Sequence, residues 1–189
     1  GEHMANQGKN GIDVILAESL KELSKTRPIE KITIKEITDK AGVIRPTFYN
    51  HFQDKYELLE WIVREDLMES AMPLFDNGLL REGITYLFTA MEKERDFYEK
   101  AVRLEGQNSF VGMMEDAVQE LILQRMNKDK LREKITYSWL SPERVAAYYA
   151  HMACNVAVQW IEGGMQVPIA ELVEVYVIMA QKSMIEIIS

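Results

Sequence analysis

Between Pro28 and Asp54 the chain sets two short helical patterns around a single glycine, and this arrangement limits its fold more than any other feature. Thr33 stands three residues before Glu36, the capping-box spacing that satisfies free amides at a helix start. The helix it opens is expected over Ile34 to Ala41 and to end on Gly42, the usual residue for a left-handed terminal turn. After Gly42-Val43-Ile44 a further helix is expected from about Arg45 to Phe52, with Pro46 tolerated because it lies in the first turn. Two short helices joined by a three-residue turn containing Gly form a helix-turn-helix. Ile34, Ile37, Ala41 and Val43 fall where the two helices pack, and Phe48 and Phe52 face the same core. Arg45, Thr47, Tyr49 and Asn50 are left on the opposite side. Such a short helix buries little by itself, so its polar face needs a purpose, and presentation to a DNA major groove supplies one.

The rest of the chain is also helical in pattern. Ile12, Leu16, Leu20 and Leu23 give a first amphipathic helix that stops before Pro28. Asp54 and Glu57 form a second capping pair, opening a helix that runs toward Met72-Pro73. Helices follow near 80–94, 97–104 and 109–127. Asn127–Lys134 reads as a connection or a fraying end. Ser141-Pro142-Glu143 opens a strong helix that ends at Gly163-Gly164, and the last helix runs from Pro168 nearly to Ser189. The fold class is therefore all-α, with eight or nine helices and no sheet. Three parts are expected: an expression scar (Gly1-Glu2-His3-Met4) and flexible N-terminus over 1–9, a three-helix DNA-binding domain over 10–56, and a larger helical body over 57–189 for ligand binding and dimerisation.

Charge qualifies the DNA reading. The net charge of −8 argues against a nucleic-acid partner if taken as uniform. Residues 1–64, however, carry 10 Lys+Arg and 10 Asp+Glu, whereas residues 65–189 carry 12 and 20. Only the front third can face phosphates, so binding should be modest without sequence selection and sensitive to salt. The single cysteine, Cys154, excludes an intrachain disulfide framework and fits a reducing cytoplasm, where the protein is expected. His151 and Cys154 read as packing residues rather than ligands, so neither a metal nor a cofactor is expected. No apolar run approaches the roughly eighteen residues of a membrane span. With no phosphate-cradling glycine loop and no nucleophile elbow, the chain is not expected to be an enzyme.

The strings Thr33-Ile34-Lys35-Glu36-Ile37-Thr38-Asp39-Lys40-Ala41-Gly42-Val43 and Thr47-Phe48-Tyr49-Asn50-His51-Phe52, with Lys55 and Leu58-Leu59, resemble the TetR-family DNA-binding domain. The likeness spans about residues 10–60. Within that family, Arg45 to Phe52 followed by Asp54-Lys55-Tyr56-Glu57-Leu58-Leu59-Glu60-Trp61-Ile62 is most similar to the branch containing activators of dihydroxyacetone-kinase operons. The resemblance implies a homodimer on a palindromic double-stranded operator, more often a repressor, with an effector site in the second half. It places Thr33, Lys35, Tyr49, His51 and Lys55 at phosphates and Arg45, Thr47 and Asn50 at base edges, since Arg suits guanine and Asn suits adenine. Two residues depart from the family pattern. Ile44 stands where Ser or Thr would cap the third helix, and Pro46 replaces a small flexible residue, so a slightly shifted helix start is expected.

In the second half, Ala146, Ala150, Ala153 and Ala157 allow close helix packing on one side. The final helix is apolar round most of its circumference and should be covered on both flanks, which a second copy can do through the last two helices. Tyr86, Phe97, Phe110, Met113, Trp139, Tyr149 and Met152 form a group of aromatic and adaptable side chains suited to a pocket for a small-molecule effector. Control by a partner protein in place of a diffusible ligand, in an interaction protein or an activator, is the alternative reading.

Overall fold

The computed structural model describes residues 11–189; the segment 1–10, with its expected scar, lies outside the described residues. Among these the structure is helical throughout, with no strand. The first helix, α1 (Ile12–Ser24), buries Leu16, Ala17 and Leu20 against the two helices of the turn motif, α2 (Ile34–Ala41) and α3 (Arg45–His51). Thr33 accepts a hydrogen bond from Glu36 N–H at 3.2 Å, and Gly42 takes a φ of +71°, so both ends of α2 follow the sequence reading. Phe48 and Phe52 are buried together with ring centroids 5.9 Å apart, fixing one face of α3 in the core. α3 begins at Arg45 with Pro46 in its first turn, as the spacing predicts.

Asp54 accepts from Glu57 N–H at 2.9 Å and starts α4 (Lys55–Trp61). The backbone stays helical beyond it, widening to i→i+5 turns over Ile62–Met68, tightening to a 3-10 turn over Glu69–Ala71, then passing into α5 (Met72–Asp76). The buried residues Leu59, Val63, Leu67 and Ala71 explain the widening. Steps of four drift round a 3.6-residue helix by about 40° each, and wide turns cancel that drift. Residue 56, the expected boundary, lies inside this continuous helix.

The body continues with α6 (Leu80–Lys93), α7 (Arg95–Ala101), α8 (Phe110–Arg125), α9 (Lys128–Lys134), α10 (Pro142–Glu162), α11 (Ile169–Gln181) and α12 (Met184–Ile188). The pairing of α8 with α10 is the most extensive, while α11 packs on α6. Gly83 lets α6 cross α5 closely, since a Cβ there would lie 2.6 Å from the Phe75 ring. Two expectations need correcting. Asn127 caps a separate helix over Lys128–Lys134 where a connection or a fraying end was expected. The last helix is also broken: Lys182 is extended, and Ser183 caps the separate α12, so there are more helical segments than eight or nine. Among the described residues no helix is long and apolar enough to cross a membrane.

Candidate nucleic-acid interface

With Phe48 and Phe52 locked inside, α3 presents Arg45, Tyr49 and Asn50 to solvent, and Thr47 half-buried beside them. Tyr49 is 55% exposed, and its ring meets Phe48 edge-on at 5.6 Å, which steadies a side chain that otherwise projects outward. Arg45 lies exposed in the first turn of α3. Arg45 and Tyr49, one turn apart, lie on one side of α3, and Thr47 and Asn50, three apart, lie on the adjoining side.

The residues expected at phosphates differ from one another. Thr33 is exposed, and its hydroxyl oxygen caps α2, leaving its proton to donate. Lys35 pairs with Asp39 at 2.6 Å on the open surface, an exchangeable partner. His51 Nδ1 lies 2.7 Å from Asp13 Oδ1 of α1, so only its Nε2 side remains outward. Lys55 is more committed: its Nζ donates to the carbonyls of Ile29 at 3.0 Å, Glu30 at 2.9 Å and Ile32 at 2.9 Å. All three of its protons are used to hold the turn that precedes α2. Burial, partly countered by Glu30 and Glu36, sets its pKa below the usual 10.5. Arg27, which the sequence did not single out, ties the same turn to α2 through Glu36 and the Lys31 carbonyl.

Behind this unit a largely apolar cavity of about 570 Å³ lies among the widened turns, α5, α6, α8, α10 and α11. Of the seven side chains expected to line a pocket, it takes in Tyr149 alone. Phe97 and Phe110 are buried in a separate aromatic cluster with Tyr98. Trp139 is 66% exposed under the Arg144 guanidinium, 3.7 Å from its ring centroid. Tyr86 lies in a separate open cleft along α6, Met113 faces a cleft beside His51, and Met152 is half-buried away from the cavity. The actual lining comes from Leu67 and Met68 on the widened turns, from the stripe Ile84, Leu87, Phe88 and Met91 of α6, and from residues of α8 and α10. That stripe, spaced i, i+3, i+4, i+7, was visible in the sequence but reads equally well as core. Arg125 stands at the cavity edge, paired with Asp76. Cys154 also lines it, and burial pushes its thiol up to about 12.

A helix-turn-helix with an open polar face, set on an all-helical body that holds an apolar cavity, defines a transcription regulator in architecture. Two family models divide the chain in the same way: "Bacterial regulatory proteins, tetR family" matches residues 15–62, and "Transcriptional regulator C-terminal region" matches residues 80–182, over half its length. The chain belongs to the TetR family, whose members are DNA-binding regulators and not enzymes.

Among curated relatives it is similar to the "HTH-type dhaKLM operon transcriptional activator DhaS" of Lactococcus lactis, 25% identical over 146 residues and 75% of each chain. It is also similar to the uncharacterised regulator YxbF of Bacillus subtilis, 42% identical over 60 residues, 31% of this chain and 16% of that one. Two solved structures share the fold. One is the dihydroxyacetone kinase operon activator DhaS (TM-score 0.63, 24% identity, 90% of this chain and 95% of that one). The other is Thermus thermophilus FadR in complex with lauroyl-CoA (TM-score 0.57, 20% identity, 86% and 89%).

Proposed function

We propose that the protein binds a palindromic operator as a homodimer, with Arg45, Thr47 and Asn50 reading base edges and Thr33, Lys35, Tyr49 and His51 contacting phosphates. The observation that carries this reading is the face of α3, where Arg45, Tyr49 and Asn50 are exposed while Phe48 is fully buried behind them. Lys55 contributes by fixing the turn that delivers Thr33. In this scheme residues 10–56 form the DNA-reading unit and 57–189 the regulatory body.

The homodimer reading is supported by α11. Its buried side, Leu172, Val173 and Val177, packs inward, while Val175, Ile178 and Met179 are 36%, 47% and 40% exposed. A second protomer bringing its own α10 and α11 is the natural cover for such a stripe. The cavity supports control by an apolar small molecule, acting through different affinities for two dimer geometries. Repression is the primary reading. Activation, with control by a partner protein, is the second, favoured by the name of the 25% identical relative, an operon activator.

The test is a gel shift with DNA flanking the native gene. A salt-sensitive, sequence-selective complex is expected, lost when Arg45 and Tyr49 both become Ala in a protein that keeps its melting profile. A folded wild type that selects no sequence would overturn the proposal. A promoter–reporter assay with and without the protein gives the sign of regulation.

A further inference from the structure

Ile44, the residue immediately before α3, is 68% exposed and makes no capping hydrogen bond. The helices on either side of α3 are capped by polar side chains, Thr33 for α2 and Asp54 for α4. A branched aliphatic residue is a poor choice at this position, where Ser, Thr, Asp or Asn would satisfy an amide. Pro46 lessens that penalty because it has no N–H to satisfy. Among described residues up to Arg64, the only large apolar side chains exposed are Ile15, Ile44 and Tyr49. Ile15 belongs to α1, so Ile44 and Tyr49 are the two that flank the polar face of α3. An isoleucine thus stands in water beside Arg45, with neither a core to join nor a cap to form.

In the major groove one base offers an apolar group: the C5-methyl of thymine. The leading end of a recognition helix is the part that meets base edges. From the exposure of Ile44 and its place beside Arg45 we infer that it is a specificity residue, packing on a thymine methyl in each operator half-site. This rests on the base-reading assignment for α3 made above. Ile44 selects thymine over cytosine by contact with the methyl alone, without a hydrogen bond, and its neighbours Arg45 and Asn50 read the polar edges alongside.

Replacing thymine by uracil removes that methyl and keeps both the O4 acceptor and the pairing edge. The operator is first obtained by selecting duplexes from a random pool with the full wild-type chain. Each thymine of a half-site is then replaced singly by uracil. Affinity should fall about fourfold at one position, the worth of one methyl group buried, and more than tenfold when its symmetry mate is replaced too. In Ile44→Ser the thymine-to-uracil ratio at that position should fall to about one. Ratios at other positions should stay unchanged. The melting temperature should hold as well, because the substitution removes no core contact and its hydroxyl can cap the helix. A wild type insensitive to uracil at every position overturns the inference alone, as does an Ile44→Ser variant that keeps the wild-type ratio. A wild type that selects no sequence overturns both this inference and the base-reading assignment.

Discussion

Lys21 Nζ of α1 lies 2.6 Å from Asp66 Oδ2 on the widened turns of the long helix, and Glu94, between α6 and α7, completes the junction at 2.9 Å. Lys21 is only 4% exposed, while each carboxylate is about a third exposed (33% and 34%). One ammonium therefore joins the DNA-reading unit to the body at two points. Asp66 adjoins Leu67 and Met68, which line the cavity, so one turn of helix touches both units. Lys21→Met leaves two carboxylates facing each other without their cation. Discounted for their exposure, the expected loss is about 2 kcal/mol, or about 5 °C in melting temperature by calorimetry.

The same junction fixes a pH dependence. Burial works against the Lys21 charge, but hydrogen bonds and attraction from Asp66 and Glu94 outweigh it and raise its pKa above 10.5. A raised pKa means the stabilisation is fully present below 10.5 and is lost as pH climbs through the folded-state value. Burial likewise raises Glu94 above 4.5 despite Lys21, so its contribution is fully present below 4.5 and is lost as pH rises through its folded-state value. The melting temperatures of wild type and Lys21→Met should converge as pH passes above 10.5; a constant gap up to about pH 12 would contradict the assignment.

Lys55 and Lys35 are both lysines of the DNA-reading unit, yet their removal should differ sharply. Lys55→Met strands three carbonyls of the turn before α2 and should lower stability by about 1–3 kcal/mol, with weaker DNA binding as Thr33 loses its position. Lys35→Ala should change stability by no more than about 0.5 kcal/mol, because its pair with Asp39 is exposed. Chemical denaturation and gel shifts on the two variants separate clamp from contact.

These two lysines also mark how far the sequence could be read. The caps Thr33 and Asp54, the left-handed Gly42 and the inward pair Phe48 and Phe52 are local, fixed by residues three or four apart, and their spacing was enough. The carbonyls held by Lys55 lie 23 to 26 residues away, and no pattern along the chain announces them. The cavity was hidden for a similar reason. Its walls come from helices whose stripes look like ordinary core, and choosing aromatic residues by type selected Phe97 and Phe110, which bury one another. The break at Lys182 was also illegible, because Met184, Ile185, Ile187 and Ile188 continue an apolar pattern that the backbone does not follow.

Cys154 should be chemically quiet in the folded protein. With its thiol pushed up to about 12, the reactive thiolate at pH 8 is roughly a thousandfold rarer than for a free cysteine near 8.5. Iodoacetamide labelling at about pH 8, followed by mass spectrometry, should modify Cys154 only after denaturant is added. Rapid labelling of the native protein would show that the cavity admits water freely.

The outer stripe of α11 offers a test of assembly separate from DNA binding. Ile178→Glu places a charge among Val175 and Met179 on the exposed side and touches no buried partner of that helix. Light scattering should show the wild type as a dimer at micromolar concentration and the variant as a monomer with an unchanged helical spectrum. A wild type that is monomeric would remove the reason for the stripe.

The three carbonyls around Lys55 have the form of an inorganic cation site whose occupant is tethered to the chain. A free potassium or magnesium ion in such a cradle would come and go with the buffer; an ammonium on a covalent stem cannot be diluted or chelated away. The turn before Thr33 therefore keeps this clamp whatever salt the buffer holds. Loss of operator affinity as salt rises is then expected to begin with displacement at the phosphates and with the screened surface pairs, before this clamp gives way.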